Sequence, residues 1–475
     1  MKKIIFIFLI GVLFSCKDAL VEEPKSIAAE SFYNTESEIE TAIAAGYDKI
    51  RPDMYSVSLL ECNADYQTGR GSWALISDYQ GFNSTNISRS EGRWSESFLA
   101  IRNANIVIMK APDGTELTDA EKTSAVAEAK FIRAFAYFDL VRNYAGVPIR
   151  TEDNYDAYDV ARASEEDVWA LIISDLKEAE SGLPDDAPVP GRASKWAAKT
   201  VLADVYFYQG MNSEAAAKSE EVIASNKYSL VPVETVDDYT TNLFSPDLAS
   251  SSEEIFYKKF SHEHGSAYAM MCNHPGTGLC GGGGWYGIYS DFGSNNFMKS
   301  WTDTGDLRKQ LWYNWDIGVG STSYLTLKVI DPDSPGTMCA NDLPLYRYAD
   351  VLLLNAEAEC RATGTVSATD MERLNMVHRR AFGYDALTVS PVDYKIADYD
   401  KDSFCELVVL ERGKEQQCEG KRWYDLKRLG FDKLKEIVFA SRGIVVAEKH
   451  LLYPIPVTEI ENNDSIDATD QNPGY

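Results

Sequence analysis

Apolar residues recur every three or four positions along much of the chain, which is the spacing of an amphipathic helix. Five residues show it most clearly: Ala127, Phe131, Ala134, Phe138 and Val141. Their steps alternate between four and three, so all five side chains lie on one helix face. The Ala-Gly-Val-Pro sequence at 145–148 predicts that this helix ends near Tyr144.

Capping boxes mark two helix starts, Thr35-x-x-Glu38 and Thr118-x-x-Glu121. Further helices are predicted over 164–183, 194–209, 213–225, 346–361 and 369–381. The second and third of these follow the size order of a tetratricopeptide-like hairpin, in which small residues let two helices approach closely. Such hairpins bury their apolar faces only by stacking. The pattern therefore predicts an all-α fold built from helix pairs, with scaffold helices mainly over 35–225 and 345–382.

The helical pattern is lost in two stretches, 61–90 and 231–344, where Gly, Ser, Asp and aromatic residues dominate. Loops of this length are either disordered or functional, and the aromatic content argues against disorder. We therefore expect irregular segments laid over the scaffold, where binding sites commonly lie.

The composition indicates a packed core and a strongly acidic protein. Apolar residues make up 45% of the 475 residues, enough for a packed interior. Acidic residues number 73 against 46 basic ones, a formal net charge of −27. Nucleic acid and anionic lipid surfaces would be repelled by this charge, so neutral or cationic ligands are favoured.

The N-terminus carries the features of an export signal. Lys2 and Lys3 precede an apolar run from Ile4 to Phe14, which is too short to span a bilayer and is followed by Cys16. This predicts a lipoprotein signal peptide over 1–15, lipidation of Cys16 and a polar tether over 16–30. An ordinary secreted protein cut near Ser15 is the alternative.

Seven of the eight cysteines remain after lipidation, an odd number, so at least one is unpaired. Cys272 and Cys280 are close in sequence and flank a loop, and we predict a disulfide between them. Together with His262, His264 and His274 they could instead bind zinc, but the spacing fits no known finger or ribbon, and export favours the disulfide. No cofactor or metal site is predicted.

Four motifs in order along the chain resemble those of the SusD/RagB family of nutrient-binding lipoproteins. They are KFIRAFAYFDLVRNY with GVP at 130–148, YRYADVLLLNAEA at 346–358, ERGKE with EGKRWYDLKR at 411–428, and the terminal PIP and QNPGY within 454–475. One departure is Gln-Gln-Cys at 416–418, where the family has apolar residues and where we expect weaker packing.

The resemblance implies a single SusD-like domain over 31–475, with the C-terminal family segment at 405–475. It implies about four tetratricopeptide-like helix pairs and a ligand surface built by the irregular segments. It further implies a cell-surface position in the outer membrane and, as partner, a SusC-like TonB-dependent transporter.

The charged residues of these motifs need partners if they lie near apolar helix faces. They are Arg133, Glu357, Glu411, Arg422 and Asp425. We expect them to pair with one another or to cap helix ends, and not to contact ligand.

A sugar site needs an exposed ring for the apolar face of a pyranose, with amides or carboxylates beside it for the hydroxyls. The candidate ligand-binding residues are Trp73, Tyr79, Asn83, Trp285, Tyr286, Tyr289 and Trp312. Four glycines at 281–284 would let that loop tip adapt or close over a ligand. The alternative is that these rings pin the long loops to the scaffold.

The sequence lacks the common catalytic motifs. The chain has no Gly-x-Ser-x-Gly elbow, His-Glu-x-x-His helix, phosphate-binding loop or dinucleotide fingerprint. We therefore expect glycan capture without chemistry. Peptide capture, seen in part of the same family, is the first alternative, and the acidic charge would favour basic peptides. A surface glycosidase, with two carboxylates facing each other across an aromatic cleft, is the second.

Overall fold

The computed structural model describes residues 32–50, 53–246 and 248–475. The predicted signal peptide, Cys16 and the tether to residue 30 lie outside the described residues. The helices are α1 Glu36–Ile50, α2 Met54–Cys62, α3 Ala74–Ser77, α4 Ile87–Lys110, α5 Asp119–Tyr144, α6 Glu165–Gly182, α7 Lys195–Tyr208, α8 Asn212–Ala224, α9 Val236–Asp238, α10 Tyr268–Cys272, α11 Asn296–Ser300, α12 Leu307–Gln310, α13 Tyr348–Thr363, α14 Ala368–Ala381, α15 Lys401–Glu415, α16 Arg422–Arg428, α17 Phe431–Arg442 and α18 Val457–Asn462. The strands are β1 Thr68–Gly69, β2 Glu254–Lys258, β3 Ile288–Asp291, β4 Trp312–Asn314, β5 Ser323–Thr326 and β6 Leu343–Arg347.

Both predicted capping boxes are present. At the start of α5, the Thr118 side chain accepts a hydrogen bond from the Glu121 amide at 3.3 Å, and the Thr118 amide donates to the Glu121 carboxylate at 2.6 Å. Helix α1 begins in the same way at Thr35. Each box satisfies amides that have no partner inside the helix. The predicted starts of both helices are confirmed.

The scaffold consists of helix pairs, as the periodicity predicts. In the described part of the chain α1 packs on α4, α5 on α6, α7 on α8 and α13 on α14, which gives four pairs. The pairs contact one another through α4 with α5, α6 with α7 and α8 with α13. At the last of these interfaces the Asn355 amide donates to the Ala216 carbonyl and to the Ser219 hydroxyl, both at 3.0 Å. The all-α prediction is confirmed.

Helix α5 lies at the centre of the core. All five residues of its predicted apolar face are buried. The helix ends at Tyr144, since the next residue, Ala145, leaves helical geometry with a φ of +63°. At Gly146 a Cβ atom would lie 2.1 Å from the Ala163 carbonyl oxygen. Only glycine allows the chain to pass so close to that carbonyl.

The two stretches predicted as irregular share a small sheet. Strand β1 from the first stretch pairs with β3 from the second, and β5 and β4 complete an antiparallel sheet in the order β1-β3-β5-β4. A second pair joins β2 to β6. The prediction of irregular structure was wrong for these residues, because each strand is too short to show a period of two. The sheet holds both stretches in one place.

The charged motif residues are paired, but with residues outside the set and not with one another. Each has an ion-pair partner: Arg133 with Asp175, Glu357 with Arg428, Glu411 with Arg308, Arg422 with Asp65 and Asp425 with Arg412. All these side chains are buried, where a charge without a partner would be costly. These residues stabilise the fold.

Glu415 is the centre of the largest buried network. Its carboxylate contacts Arg308 at 3.0 Å, Arg347 at 2.7 Å and Arg380 at 2.5 Å. Glu253 accepts from the same Arg380 guanidinium at 2.6 Å. The network joins the C-terminal segment to α12, α14 and β6, so it connects parts of the chain that are distant in sequence.

The departure at 416–418 does not weaken packing, contrary to our expectation. All three residues are buried. The Gln417 side-chain oxygen accepts from the Trp312 indole at 2.6 Å, and the Cys418 amide donates to the Tyr66 hydroxyl at 2.7 Å. Hydrogen bonds there replace apolar contacts.

Across the described ranges, no helix is both long and apolar enough to cross a membrane.

Candidate functional site

Aromatic and cationic side chains from both loop-rich stretches meet at one surface beside the sheet. We call this surface the aromatic patch. It consists of Trp285, which precedes Tyr286 in the chain, and of seven residues joined by ring and cation–π contacts: Tyr55, Arg70, Trp73, Arg89, His274, Tyr286 and Trp315. The patch contains three of the predicted ligand-binding residues and five that were not predicted as such.

The first half of the patch is a three-layer stack. The Trp73 ring lies parallel to Tyr55, with centroids 6.2 Å apart, and the Arg89 guanidinium lies over the Trp73 ring at 3.6 Å. Asp53 caps α2 through the Ser56 amide and so fixes the helix turn that carries Tyr55. Trp73 is only 7% exposed as a result, whereas Tyr55 is 45% exposed. Tyr55 presents the accessible ring of this half.

The second half surrounds Tyr286. The Arg70 guanidinium lies 4.2 Å from the Tyr286 ring centre, and the His274 ring lies 4.5 Å away. Trp315 contacts His274 with centroids 5.7 Å apart. Trp285 is 42% exposed, the largest exposed fraction of any tryptophan in the described ranges. Its indole is the best placed ring for stacking on a flat ligand.

Strand pairing joins the two halves. The Arg70 amide donates to the Gly287 carbonyl at 2.8 Å, directly after the β1–β3 pairing of Gly69 with Ile288. A Cβ atom at Gly287 would lie 3.3 Å from Trp73 Cδ1, so the two segments are in van der Waals contact. The sheet therefore sets the spacing between the halves.

The patch carries positive charge on an acidic protein. Among the described residues, neither Arg70 nor Arg89 forms an ion pair with a carboxylate. Arg89 donates only to Ser72, at 2.7 Å to the hydroxyl. Both guanidiniums therefore keep donors that can bind hydroxyl or carboxylate oxygens of a ligand.

A large cavity opens beside the patch. Its volume is about 760 Å³, and Tyr55 and Arg89 form part of its lining. Deeper in the cavity, Arg93 and Asp139 form an ion pair, and the Lys421 ammonium lies 2.6 Å from Asp350. These inner charged groups are already paired with one another. The guanidinium groups of the patch, at the edge of the cavity, are therefore more available to a ligand.

Three predicted ligand-binding rings are buried and present no open face. Trp73 lies within the stack described above. Tyr79 is 6% exposed, donates its hydroxyl hydrogen bond to the Asn63 carbonyl and packs against Trp423. Trp312 is 6% exposed and its indole is held by Gln417. These three rings pin the long loops to the scaffold, so the prediction that they contact ligand was wrong.

The remaining predicted residues are more accessible. Tyr286 and Tyr289 are half-buried and Asn83 is exposed. The Asn83 side-chain oxygen accepts from the Thr85 amide at 2.9 Å, which shapes the turn before α4. Burial raises the pKa of Tyr289, and the neighbouring Asp291 raises it further. Tyr289 therefore remains a neutral phenol at physiological pH.

The glycine run is not a free loop tip, contrary to our expectation. A Cβ atom at Gly281 would lie 1.9 Å from the Ser334 carbonyl oxygen, and one at Gly284 would lie 2.4 Å from the Asn273 oxygen. The Gly283 amide donates to the Cys280 carbonyl at 2.7 Å. These glycines allow close packing of the backbone beneath Trp285.

The predicted Cys272–Cys280 disulfide is wrong. In the structure the two cysteines are not bonded to each other, because Cys272 lies against Cys418 and Cys280 lies against Cys339. Sequence proximity misled the prediction, because α10 and the glycine run point the two side chains toward different parts of the core. Within the ranges that the structure describes, no group of three or more His, Cys, Asp or Glu residues is arranged to hold a metal ion.

Five patch residues were not predicted as ligand-binding: Tyr55, Arg70, Arg89, His274 and Trp315. Four of them lie inside the stretches 61–90 and 231–344 that the sequence singled out. Tyr55 lies outside both stretches, on α2, and reaches the patch only through tertiary folding. A search for cations flanking the predicted rings could have suggested Arg70 and Arg89.

Two family models match the chain. One, described as "SusD family", matches residues 293–475, and the other, described as "Starch-binding associating with outer membrane", matches residues 21–207. Residues 208–292 lie between the two matches and include α8 to α10 and part of the patch. The models therefore match mainly the scaffold and the C-terminal segment.

Several curated proteins resemble this chain over its length. SusD-like protein P25 and SusD-like protein P2 of Formosa agariphila are 24% and 27% identical, with 99% and 100% of this chain and 99% of each relative covered. The starch-binding protein SusD of Bacteroides thetaiotaomicron is 29% identical over 30% of this chain and 23% of its own length.

Solved structures share the fold. A SusD homologue from Bacteroides thetaiotaomicron has a TM-score of 0.78 at 20% identity, covering 94% of this chain and 98% of that one. A structure described as a laminarin-binding SusD-like protein has a TM-score of 0.71 at 24% identity, covering 93% of this chain and 100% of that one. These similarities confirm the helical architecture.

Proposed function

This chain belongs to the SusD/RagB family, and from that premise we propose that it captures a glycan at the aromatic patch and performs no chemistry on it. The captured glycan then passes to a SusC-like TonB-dependent transporter in the outer membrane. Cys16 carries the lipid that holds the protein at the cell surface.

The observation that carries the proposal is the exposed indole of Trp285 beside Tyr286 and the Arg70 guanidinium. A pyranose presents C–H groups on one face and hydroxyls around its rim. An open ring face meets the first, and guanidinium donors meet the second. The exposed Tyr55 ring extends the surface, so more than one sugar unit can be accommodated.

The relatives support a carbohydrate as the ligand class. One matched family model is described as starch-binding, and the relative from Bacteroides thetaiotaomicron is named a starch-binding protein. A neighbour in fold is described as laminarin-binding. A basic peptide, the first alternative, would meet the unpaired Arg70 and Arg89 at the patch and be repelled there.

The test is native affinity electrophoresis of the lipid-free chain from residue 17 through gels that contain different polysaccharides. The wild-type protein should be retarded by at least one of them. Trp285→Ala should weaken that binding at least about tenfold, or about 1.4 kcal/mol, because it removes the open stacking face. Tyr158→Ala is the matched control, since Tyr158 is 88% exposed and lies outside the patch.

Three results would contradict the proposal. No retardation across a broad panel would exclude polysaccharide capture and direct the search to peptides. Equal retardation of the Trp285 variant, Tyr158 control and wild type would remove the patch from the binding site. Shortened glycan chains after incubation would show that the protein is a glycosidase.

The anchor and the transporter are tested in cells. Cys16→Ala should abolish labelling of the protein by a radioactive fatty acid and release it from the outer membrane. Affinity purification of the wild-type protein from detergent-solubilised outer membranes should recover a TonB-dependent transporter. Unchanged lipid labelling in the Cys16 variant, or purification without a transporter, would contradict the corresponding part of the proposal.

A further inference from the structure

Six of the seven cysteines in the described ranges lie in three thiol pairs. The pairs are Cys272 with Cys418, Cys280 with Cys339 and Cys360 with Cys405. We infer that the exported protein carries three disulfides with this pairing and that Cys62 remains a free thiol. The inference does not depend on the proposed ligand.

The Cys360–Cys405 pair joins two scaffold helices. Cys360 lies near the end of α13, and its thiol reaches the Lys401 carbonyl at 3.9 Å. Lys401 is one helical turn before Cys405 on α15, so the Cys405 side chain lies over that carbonyl. Both residues are buried in the same apolar cluster, away from solvent. Helices α13 and α15 already pack together, so a bond there needs no change of fold.

Asp331 brings Cys280 and Cys339 together. The Cys280 backbone forms a bridge with that of Asp331, and the Asp331 carboxylate accepts from the Ala340 amide at 2.7 Å. Both cysteines pack in a small cluster with Met270. The two side chains are neighbours within that cluster.

Tyr268 places the third pair. Its hydroxyl donates to the Cys418 carbonyl at 3.1 Å, and Cys272 follows it by one turn of α10. Cys418 has a φ of +62° and is buried. The Gln67 amide contacts the Cys418 sulfur at 3.5 Å, and Cys272 and Cys418 are buried neighbours in the same apolar cluster.

Metal binding does not explain the pairs. A structural zinc site needs four ligands, usually cysteine and histidine, and each of these clusters offers two thiols. Three separate pairs in one exported chain fit the oxidising conditions outside the cytoplasm, where buried neighbouring thiols are converted to disulfides. The odd cysteine is Cys62 on α2, which is fully buried.

The chemistry is a thiol–disulfide exchange. In each pair two S–H bonds break and one S–S bond forms, so the pair loses two protons and two electrons. The oxidant is an exported thiol oxidoreductase in its disulfide form, which accepts both electrons and is reduced to a dithiol. A mixed disulfide between that enzyme and one cysteine of the pair is the intermediate.

The inferred disulfides would constrain the aromatic patch. A Cys280–Cys339 bond closes the loop that contains Trp285, Tyr286 and Trp315, so the base of the second half of the patch becomes a covalent ring. The Cys272–Cys418 bond then ties the same region to the C-terminal segment. Both bonds restrict the patch-bearing loop in the unfolded chain more than in the folded one.

The test counts thiols. The chain from residue 17, secreted through an oxidising compartment, is denatured without reductant, treated with N-ethylmaleimide and weighed intact. One label should appear per chain, against seven after prior reduction. Peptide mapping should recover the three linked pairs. Seven labels without reductant, or a linked Cys272–Cys280 peptide, would overturn the inference.

Cysteine variants test which thiols are paired. Cys62→Ser should reduce the number of labels from one to zero. Cys360→Ser should raise it from one to two, because Cys405 loses its partner, and the double variant Cys360→Ser with Cys405→Ser should return it to one. Two labels in the double variant would contradict the pairing. If a variant does not accumulate, the wild-type count and the peptide map decide the question by themselves.

Discussion

Replacing Glu415 by Gln should destabilise the protein by about 3 kcal/mol at neutral pH, the magnitude seen when one member of a buried ion pair is removed. The substitution keeps the shape of the side chain but replaces a negative charge with a neutral amide. Arg308, Arg347 and Arg380 would then face one another with one fewer carboxylate among them.

The magnitude follows from the ionisation of Glu415. Burial alone would raise the pKa of this carboxyl, but Arg380, Arg347 and Arg308 lower it from 4.5 to about 2. Each pKa unit corresponds to about 1.4 kcal/mol, so lowering the pKa from 4.5 to about 2 corresponds to about 3 kcal/mol. Because the folded pKa is the lower one, this stability is present above pH 4.5 and is lost as the pH falls through about 2.

The assay is urea unfolding followed by tryptophan fluorescence at pH 7 and at pH 4. Glu214→Gln is the matched control, because Glu214 is exposed on α8 and forms no ion pair among the described residues. The control should lie within about 0.5 kcal/mol of wild type. A Glu415 variant as stable as that control at pH 7 would refute the reasoning. So would a Glu415 variant that gains stability over wild type.

Four further substitutions test other parts of the fold by the same unfolding measurement. Burial raises the pKa of Glu61 to about 7, so Glu61 stabilises the fold at low pH and this contribution is lost as the pH rises through about 7. In Glu61→Gln the free energy of unfolding should therefore fall less between pH 5 and 8 than in wild type. An unchanged pH dependence would contradict this prediction. Gly146→Ala should lower the free energy of unfolding by more than about 2 kcal/mol because its Cβ would overlap a carbonyl. Gly92→Ala, in open space on α4, should raise it by about 0.5–1 kcal/mol. Equal effects of the two substitutions would exclude the steric explanation. Tyr424→Phe should cost about 1–3 kcal/mol because two buried donors lose their acceptor, and a change below about 0.5 kcal/mol would show that another group replaces the hydroxyl.

The scaffold was predictable because its signals are local. The capping box of Thr118 and Glu121 marks the start of α5, and the Ala-Gly-Val-Pro sequence at 145–148 marks its end, since both signals lie within a few residues of the helix terminus. The pairing of Arg422 and Asp425 also followed from a general rule, that a buried charge needs a partner. Their actual partners, Asp65 and Arg412, could not be named, because nothing in the sequence states which segments meet in the fold.

The site was harder to predict for the same physical reason. Trp73 and Trp285 both stand in aromatic stretches, yet Tyr55 and Arg89 cover the first ring and leave the second exposed. Those covering residues come from α2 and α4, outside the patch-bearing loops. Similarly, Cys272 meets Cys418, not the nearby Cys280, because tertiary packing decides which thiols are neighbours.

Hydroxyl-radical footprinting of the wild-type protein, with and without a glycan that retards it, tests the binding surface most directly. The rate of oxidation at each residue is read by mass spectrometry. Trp285, Tyr286 and Tyr55 should be oxidised several times more slowly with glycan bound, while Tyr158 should be unaffected. Unchanged oxidation at Trp285 together with protection elsewhere on the protein would contradict glycan capture at the aromatic patch.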